Sequence, residues 1–217
     1  MNTRKYGFGR DNELYGKFGE ADFKQYCKEN GWYWIDVSND LPYQLADIDF
    51  LMSKSQFSYE DDVKPYERDI LFSRELKEYN DDGTIKKERK IYKFEVKADT
   101  RSFKTRNVLY EVISHDSAGC LGESKADFIY YVFVEEPEPG VLIKKEVWYI
   151  NLPKWRKFLR EKFFDPWVSR SDSADKYGIW TNNYTRVDEN GKVLDAAGNI
   201  LCDIEILEKN GIAKRVF

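Results

Sequence analysis

Four polar residues stand in an order that suits a cation site: Glu20, Asp49, Glu95 and Lys97. Carboxylates at 49 and 95 would hold a hard divalent cation such as magnesium through oxygen, with the Val96 carbonyl between them and Glu20 either as a further contact or as a structural anchor for Lys97. Lys97 lies two residues beyond Glu95, so strand alternation puts both side chains on one face and turns Phe94 and Val96 the other way, into a core. The chemistry open to such a set is polarisation of a phosphoryl oxygen and activation of a water, with Lys97 as a point charge beside the developing anion.

The elements that must position these groups can be read from the pattern around them. Residues 14–30 have helical character, and Glu20, Phe23 and Cys27 fall at i, i+3 and i+7, so the acid shares the face that packs on a sheet. Gly31 stops that helix, and residues 32–37 read as the first strand. Residues 46–52 read as a second strand, with Asp47 and Asp49 on one face and Ile48, Phe50 and Met52 on the other. Asp47 is therefore a competing ligand. Later strands are expected at 108–114, 128–135 and 141–150, the last followed by a helix that has Pro153 in its first turn and Trp155, Phe158 and Leu159 as its apolar stripe.

This order, an acid on the first helix, Asp at the second strand and Glu-x-Lys on a later one, resembles the PD-(D/E)XK nuclease superfamily over residues 13–134. Residues 105–111 and 122–131 look like the continuation seen in some of its members. The resemblance implies an α/β fold with a restriction-endonuclease-like core, a central mixed β-sheet flanked by helices. It implies a magnesium-dependent endodeoxyribonuclease that hydrolyses DNA phosphodiester bonds, with manganese able to substitute. Carried over residue by residue, Glu20 matches the helix acid, Asp49 and Glu95 the metal ligands and Lys97 the catalytic lysine. No Pro precedes Asp49, and its distance along the chain from Glu95 is long for this pattern, which keeps Asp47 in contention.

Charge distribution bears on the partner. The 217 residues carry a net charge of −4, against a polyanionic partner, yet Lys86, Lys87, Arg89, Lys90 and Lys93 crowd the approach to Glu95, and Arg101, Lys104 and Arg106 follow Lys97. Arg101, Lys104, Arg106, Asn107 and Lys125 are the expected nucleic-acid contacts, to DNA first, with RNA open. Asp47 and Glu111 form a second tier around the ions. No apolar run approaches the roughly 18 residues that span a membrane, the first residues lack the apolar segment of a signal peptide, and Cys27, Cys120 and Cys202 are odd in number and scattered. The expectation is an intracellular, cytoplasmic protein.

The chain is read as a core at 1–164 with an insertion at about 53–90, and a β-rich extension at 165–217 packed on it. Within the insertion, 58–65 reads as loop and 70–79 as a strand turning at 80–83, which would either shape a substrate groove or, the favoured reading, lengthen the main sheet. Turn signals at 189–192 and 196–199 suggest a small meander whose Trp180 and Tyr184 offer surface for a homodimer. Ser114-His115-Asp116 imitates a hydrolase triad, but triads are assembled from separated segments. Two other classes stay open: a catalytically inactive nucleic-acid-binding module of the same fold, and a structural or interaction protein in which the acids and Lys97 simply pair.

Overall fold

The computed structural model describes residues 8–217 apart from 115–116, 119–123, 166, 168 and 188–192. Its first element, α1 (Phe8–Glu29), ends as the sequence leads one to expect. Gly31 takes φ 66°, and the amides of Gly31 and Trp32 return to the carbonyls of Lys28 and Cys27. That left-handed position favours glycine, and the two bonds satisfy carbonyls the helix end leaves free.

A mixed six-stranded sheet carries the molecule. Its strands are β1 (Tyr33–Asp36), β2 (Phe50–Ser53), β5 (Tyr92–Asp99), β8 (Phe128–Glu138), β9 (Val141–Asn151) and β12 (Ala213–Arg215), in that spatial order. Neighbours are antiparallel except β5 and β8, which run parallel. The chain is thus α/β, with helices against a central mixed sheet. Alternation divides the sheet into two faces. Phe50, Phe94, Tyr130 and Val132 meet Phe23 and Cys27 of α1 on one side. On the other, Leu51, Ile129, Tyr131 and Trp148 pack on α5 (Leu152–Lys162) and on a second sheet. Helix α5 starts as expected, with the Asn151 side chain accepting the Lys154 amide at 3.0 Å and Pro153 in the first turn.

The second sheet is four-stranded, in the order β10 (Ile179–Val187), β11 (Val193–Asp203), β6 (Asn107–Ser114), β7 (Ser117–Ala118). Strand β6 follows the Glu95 strand in sequence but joins the C-terminal hairpin, and β12 returns to the main sheet beside β9. The part after residue 165 also includes α6 (Arg170–Tyr177) and α7 (Ile204–Lys209).

Three local expectations are corrected. Residues 46–52 are not one strand: α2 (Leu41–Gln44) and a turn with Asp47 at φ 47° precede β2, which begins at Phe50. Ile48 therefore joins the core on the face of Leu51, not that of Phe50 and Met52. Residues 58–65 form a π-helical turn (Tyr59–Val63) running into a 3-10 turn (Lys64–Tyr66), where Ser58 caps the Asp61 amide, and residues 67–72 form α3. The hairpin of β3 (Glu75–Tyr79) and β4 (Ile85–Lys90) is a separate two-stranded sheet, so the insertion does not lengthen the main one. The short helix α4 (Ser102–Thr105) follows β5.

Candidate metal centre

The site forms just before β2 begins. The β2–β5 ladder runs from Met52 opposite Tyr92 to Phe50 opposite Phe94. One step further, the Asp49 amide donates to the Phe94 carbonyl at 2.8 Å, and the Asp49 side chain replaces the missing strand: its Oδ2 accepts the Val96 amide at 2.7 Å. Asp49 precedes Phe50 and Glu95 follows Phe94, so this register sets the two acids side by side. In an extended strand one residue's amide and carbonyl point to the same edge, so the Val96 carbonyl faces the Asp49 side as well.

Glu95 is 7% exposed, and its Oε1 accepts from the Lys97 ammonium at 2.8 Å. Its Oε2 is buried with no hydrogen-bond partner. A carboxylate oxygen stranded in that way is costly unless something else meets it. Burial pushes the Asp49 carboxyl up to about 7; the Val96 amide and Lys97 pull it down, while Glu95 and Glu20 push it further up. Three of the residues named from sequence thus act electrostatically on the fourth. Glu20 is half-buried just past the middle of α1, and its carboxyl is raised by burial and by Asp36, against the pull of Lys24 and Lys17. Its neighbour Gly19 lets the helix approach closely, since a Cβ there would lie 2.9 Å from Cγ1 of Val96 and 3.4 Å from Cβ of Ala98.

The chemistry of the donors fits a hard cation: an unpartnered carboxylate oxygen on Glu95, the adjoining Asp49 and the Val96 carbonyl, with Glu20 acting from the helix. Among the described residues no three His, Cys, Asp or Glu side chains form a ready-made cage. Two carboxylates and a carbonyl suit magnesium, which keeps several waters and demands few protein ligands. Asp47 sits in the turn before β2 at φ 47°, and its carbonyl receives the Ser124 hydroxyl at 3.4 Å.

Sequence reasoning passed over Asp99, the next residue on the face of Glu95 and Lys97. Its carboxylate accepts the Arg101 amide at 2.6 Å, the Ser102 hydroxyl at 2.7 Å and the Tyr131 hydroxyl at 3.0 Å. The Tyr131 oxygen in turn accepts the Leu109 amide at 3.3 Å, so Asp99 fastens the end of β5 to α4, β8 and β6. Alternation over 95, 97 and 99 was the signal that pointed to it.

The basic residues scatter. Arg101 and Lys104 are exposed on the turn of α4. Arg106, at φ 61°, pairs with Glu146 at 2.9 Å and Glu205 at 3.4 Å, and its guanidinium lies over the rings of Phe133 and Trp148. Lys93 is not part of a rim. It is 4% exposed, donates to the carbonyls of Ile70 and Ser73, and burial pushes its ammonium down. On the separate hairpin Arg89 pairs with Asp62, and Lys86 with Glu78. Lys125 is exposed at the other end of β5, its amide on the Ala46 carbonyl. Asn107 opens β6 opposite Asp203. The side chains of Glu111, Lys87 and Tyr184 and the whole of His115 lie outside the described residues. Trp180, on the edge strand β10, is 39% exposed. Among the described residues no helix is long and apolar enough to cross a membrane. Compared with protein-family models, curated proteins and solved structures, the chain matches none of them.

Proposed function

We propose that the chain is a metal-dependent nuclease of the PD-(D/E)XK kind, acting on DNA phosphodiesters with magnesium, or manganese in its place. The observation that carries this reading is the convergence of Asp49, Glu95 and Lys97 at the start of β2, with one Glu95 oxygen buried and unpartnered. Asp49, Glu95 and the Val96 carbonyl would hold the ion, and Glu20 would hold its waters. A divalent cation bound there supplies Lewis acidity toward a phosphoryl oxygen and lowers the pKa of a water.

The residues themselves supply the rest. Asp49, raised to about 7, would have to give up its proton to hold an ion, so affinity for the ion would rise with pH. The Val96 amide fixes the Asp49 carboxylate in place before substrate arrives. Lys97, paired with Glu95 at 2.8 Å, would meet anionic charge on a phosphate once Glu95 engaged a cation. Two copies would be needed to cut both strands of a duplex, and closed two-fold pairing is the commonest means.

One observation favours a second reading. The 2.8 Å pair of Lys97 with Glu95 also suits a protein in which the acids serve only to anchor that lysine. Cleavage of plasmid, single-stranded and branched DNA with magnesium or manganese, beside Glu95→Gln and Lys97→Ala, separates the two. Titration of the ion into the protein by calorimetry tests the centre without substrate. No cleavage and no ion uptake at neutral pH would leave the pairing role.

A further inference from the structure

Helix α5 concentrates positive charge in a chain that is negative as a whole. Its eleven residues include five basic side chains, Lys154, Arg156, Lys157, Arg160 and Lys162, against the single acid Glu161. Trp155, Phe158 and Leu159 turn inward and are buried, so Lys154, Lys157 and Arg160 share the outer face and are exposed. They recur every three residues and span about 9 Å along the helix. At 3.4 Å of rise per nucleotide, that covers roughly two to three phosphates of one strand. Among their contacts, Lys157 lies 3.8 Å from Glu161, and Lys154 donates to the neutral Gly211 carbonyl at 3.0 Å.

The helix is tied to the candidate centre by two hydrogen bonds. The Arg156 guanidinium donates to the Ser124 carbonyl at 2.7 Å, and the Ser124 hydroxyl donates to the carbonyl of Asp47, two residues before Asp49. Exposed Lys125 follows Ser124, its amide on the Ala46 carbonyl. α5 also packs on the face of the sheet from which Glu95 and Lys97 project, the face opposite α1.

We propose that the outer face of α5, continued by Lys125, is the track that holds the sugar-phosphate backbone of duplex DNA on its way to the Asp49–Glu95 centre. The inference rests on the nuclease reading for its direction. It does not rest on Arg106, which the fold has already committed to Glu146. Charge complementarity selects the partner: a regular row of cations on a rigid helix matches a regular row of phosphates, and it works without reading bases.

The test is fluorescence anisotropy of a labelled duplex with the full chain in EDTA, titrated at several salt concentrations. Lys154→Gln, Lys157→Gln and Arg160→Gln combined should weaken binding about tenfold or more at low salt and flatten the dependence of log K on log salt by about two to three. Lys125→Gln alone, in a different segment, should flatten it by about one. Glu161→Gln should tighten binding, an effect that misfolding cannot imitate. An unchanged affinity and slope in the triple variant overturns the proposal, as does a loss confined to Arg101→Gln with Lys104→Gln. Uptake on phosphatidylserine vesicles with no duplex binding overturns it in favour of a membrane surface. Because EDTA removes cleavage from the readout, a chain that binds through α5 and never cuts refutes only the nuclease reading.

Discussion

Asp49 Oδ2 accepts the Val96 amide at 2.7 Å, and Val96 is the residue that Glu95 and Lys97 flank. One bond thus ties the acid that precedes β2 to the centre of the Glu-x-Lys triplet, and it makes the choice of substitution at Asp49 decisive. Alanine strands a backbone donor. Asparagine keeps an acceptor and removes the charge.

Asp49→Asn should therefore abolish cleavage while stabilising the cation-free protein. A carboxyl whose folded-state pKa lies above its unfolded value binds its proton more tightly in the folded chain. Folding is then favoured while Asp49 is protonated, and that advantage drains away as pH climbs from about 4 through about 7. At pH 8 the variant should gain on the order of 3 kcal/mol and lose much of the wild-type fall in stability over that window. Urea melts in EDTA from pH 4 to 8 measure both; a destabilised Asn variant at pH 8 would refute the burial argument.

Lys97→Ala should lose activity by two or more orders of magnitude and keep its magnesium or manganese uptake, because removal of the cation frees the second Glu95 oxygen as well. Calorimetric titration beside single-turnover cleavage checks it. Equal loss of ion binding would make Lys97 a structural partner of Glu95.

Gly19→Val should push α1 off β5. The added carbons meet Val96 and Ala98 at 2.9 Å and 3.4 Å, and Val96 is β-branched and cannot swing away. A cost of about 1–3 kcal/mol is expected, with activity reduced beyond it because Glu20 moves with the helix. A variant as stable and as active as the parent would show that the close approach is not needed.

Arg106→Ala should act on stability before it acts on binding. It leaves Glu146, 8% exposed, with the Trp148 indole at 3.0 Å and Arg215 at 3.8 Å, and strips the guanidinium from two rings. About 2 kcal/mol should be lost, discounted from a fully buried pair because Arg106 remains partly exposed. A salt slope of DNA binding that changes while the urea midpoint stays put would restore Arg106 to a phosphate role.

Sedimentation equilibrium with plasmid nicking bears on the assembly. A two-fold dimer should linearise plasmid in one encounter, and a monomer should accumulate nicked circles. Replacement of Trp180, exposed on the edge of β10, by Lys should shift the equilibrium to monomer.

What the sequence determined by itself was local. The stop of α1 at Gly31, the start of α5 at Asn151 and Pro153, and the alternation that sends Glu95 and Lys97 one way and Phe94 and Val96 the other all depend on neighbours a few residues apart. Those patterns, together with the resemblance to PD-(D/E)XK nucleases, named the four residues of the candidate centre. Other outcomes belong to the tertiary structure. Only strand pairing starts β2 at Phe50 and hands the Val96 amide to Asp49, and only packing sends β6 to a second sheet, buries Lys93 and pairs Arg106 with Glu146. A lysine in a sequence carries the same charge whether it ends in solvent or under a helix. Its neighbours across the fold decide which, because burial and partner are long-range properties that no local period encodes.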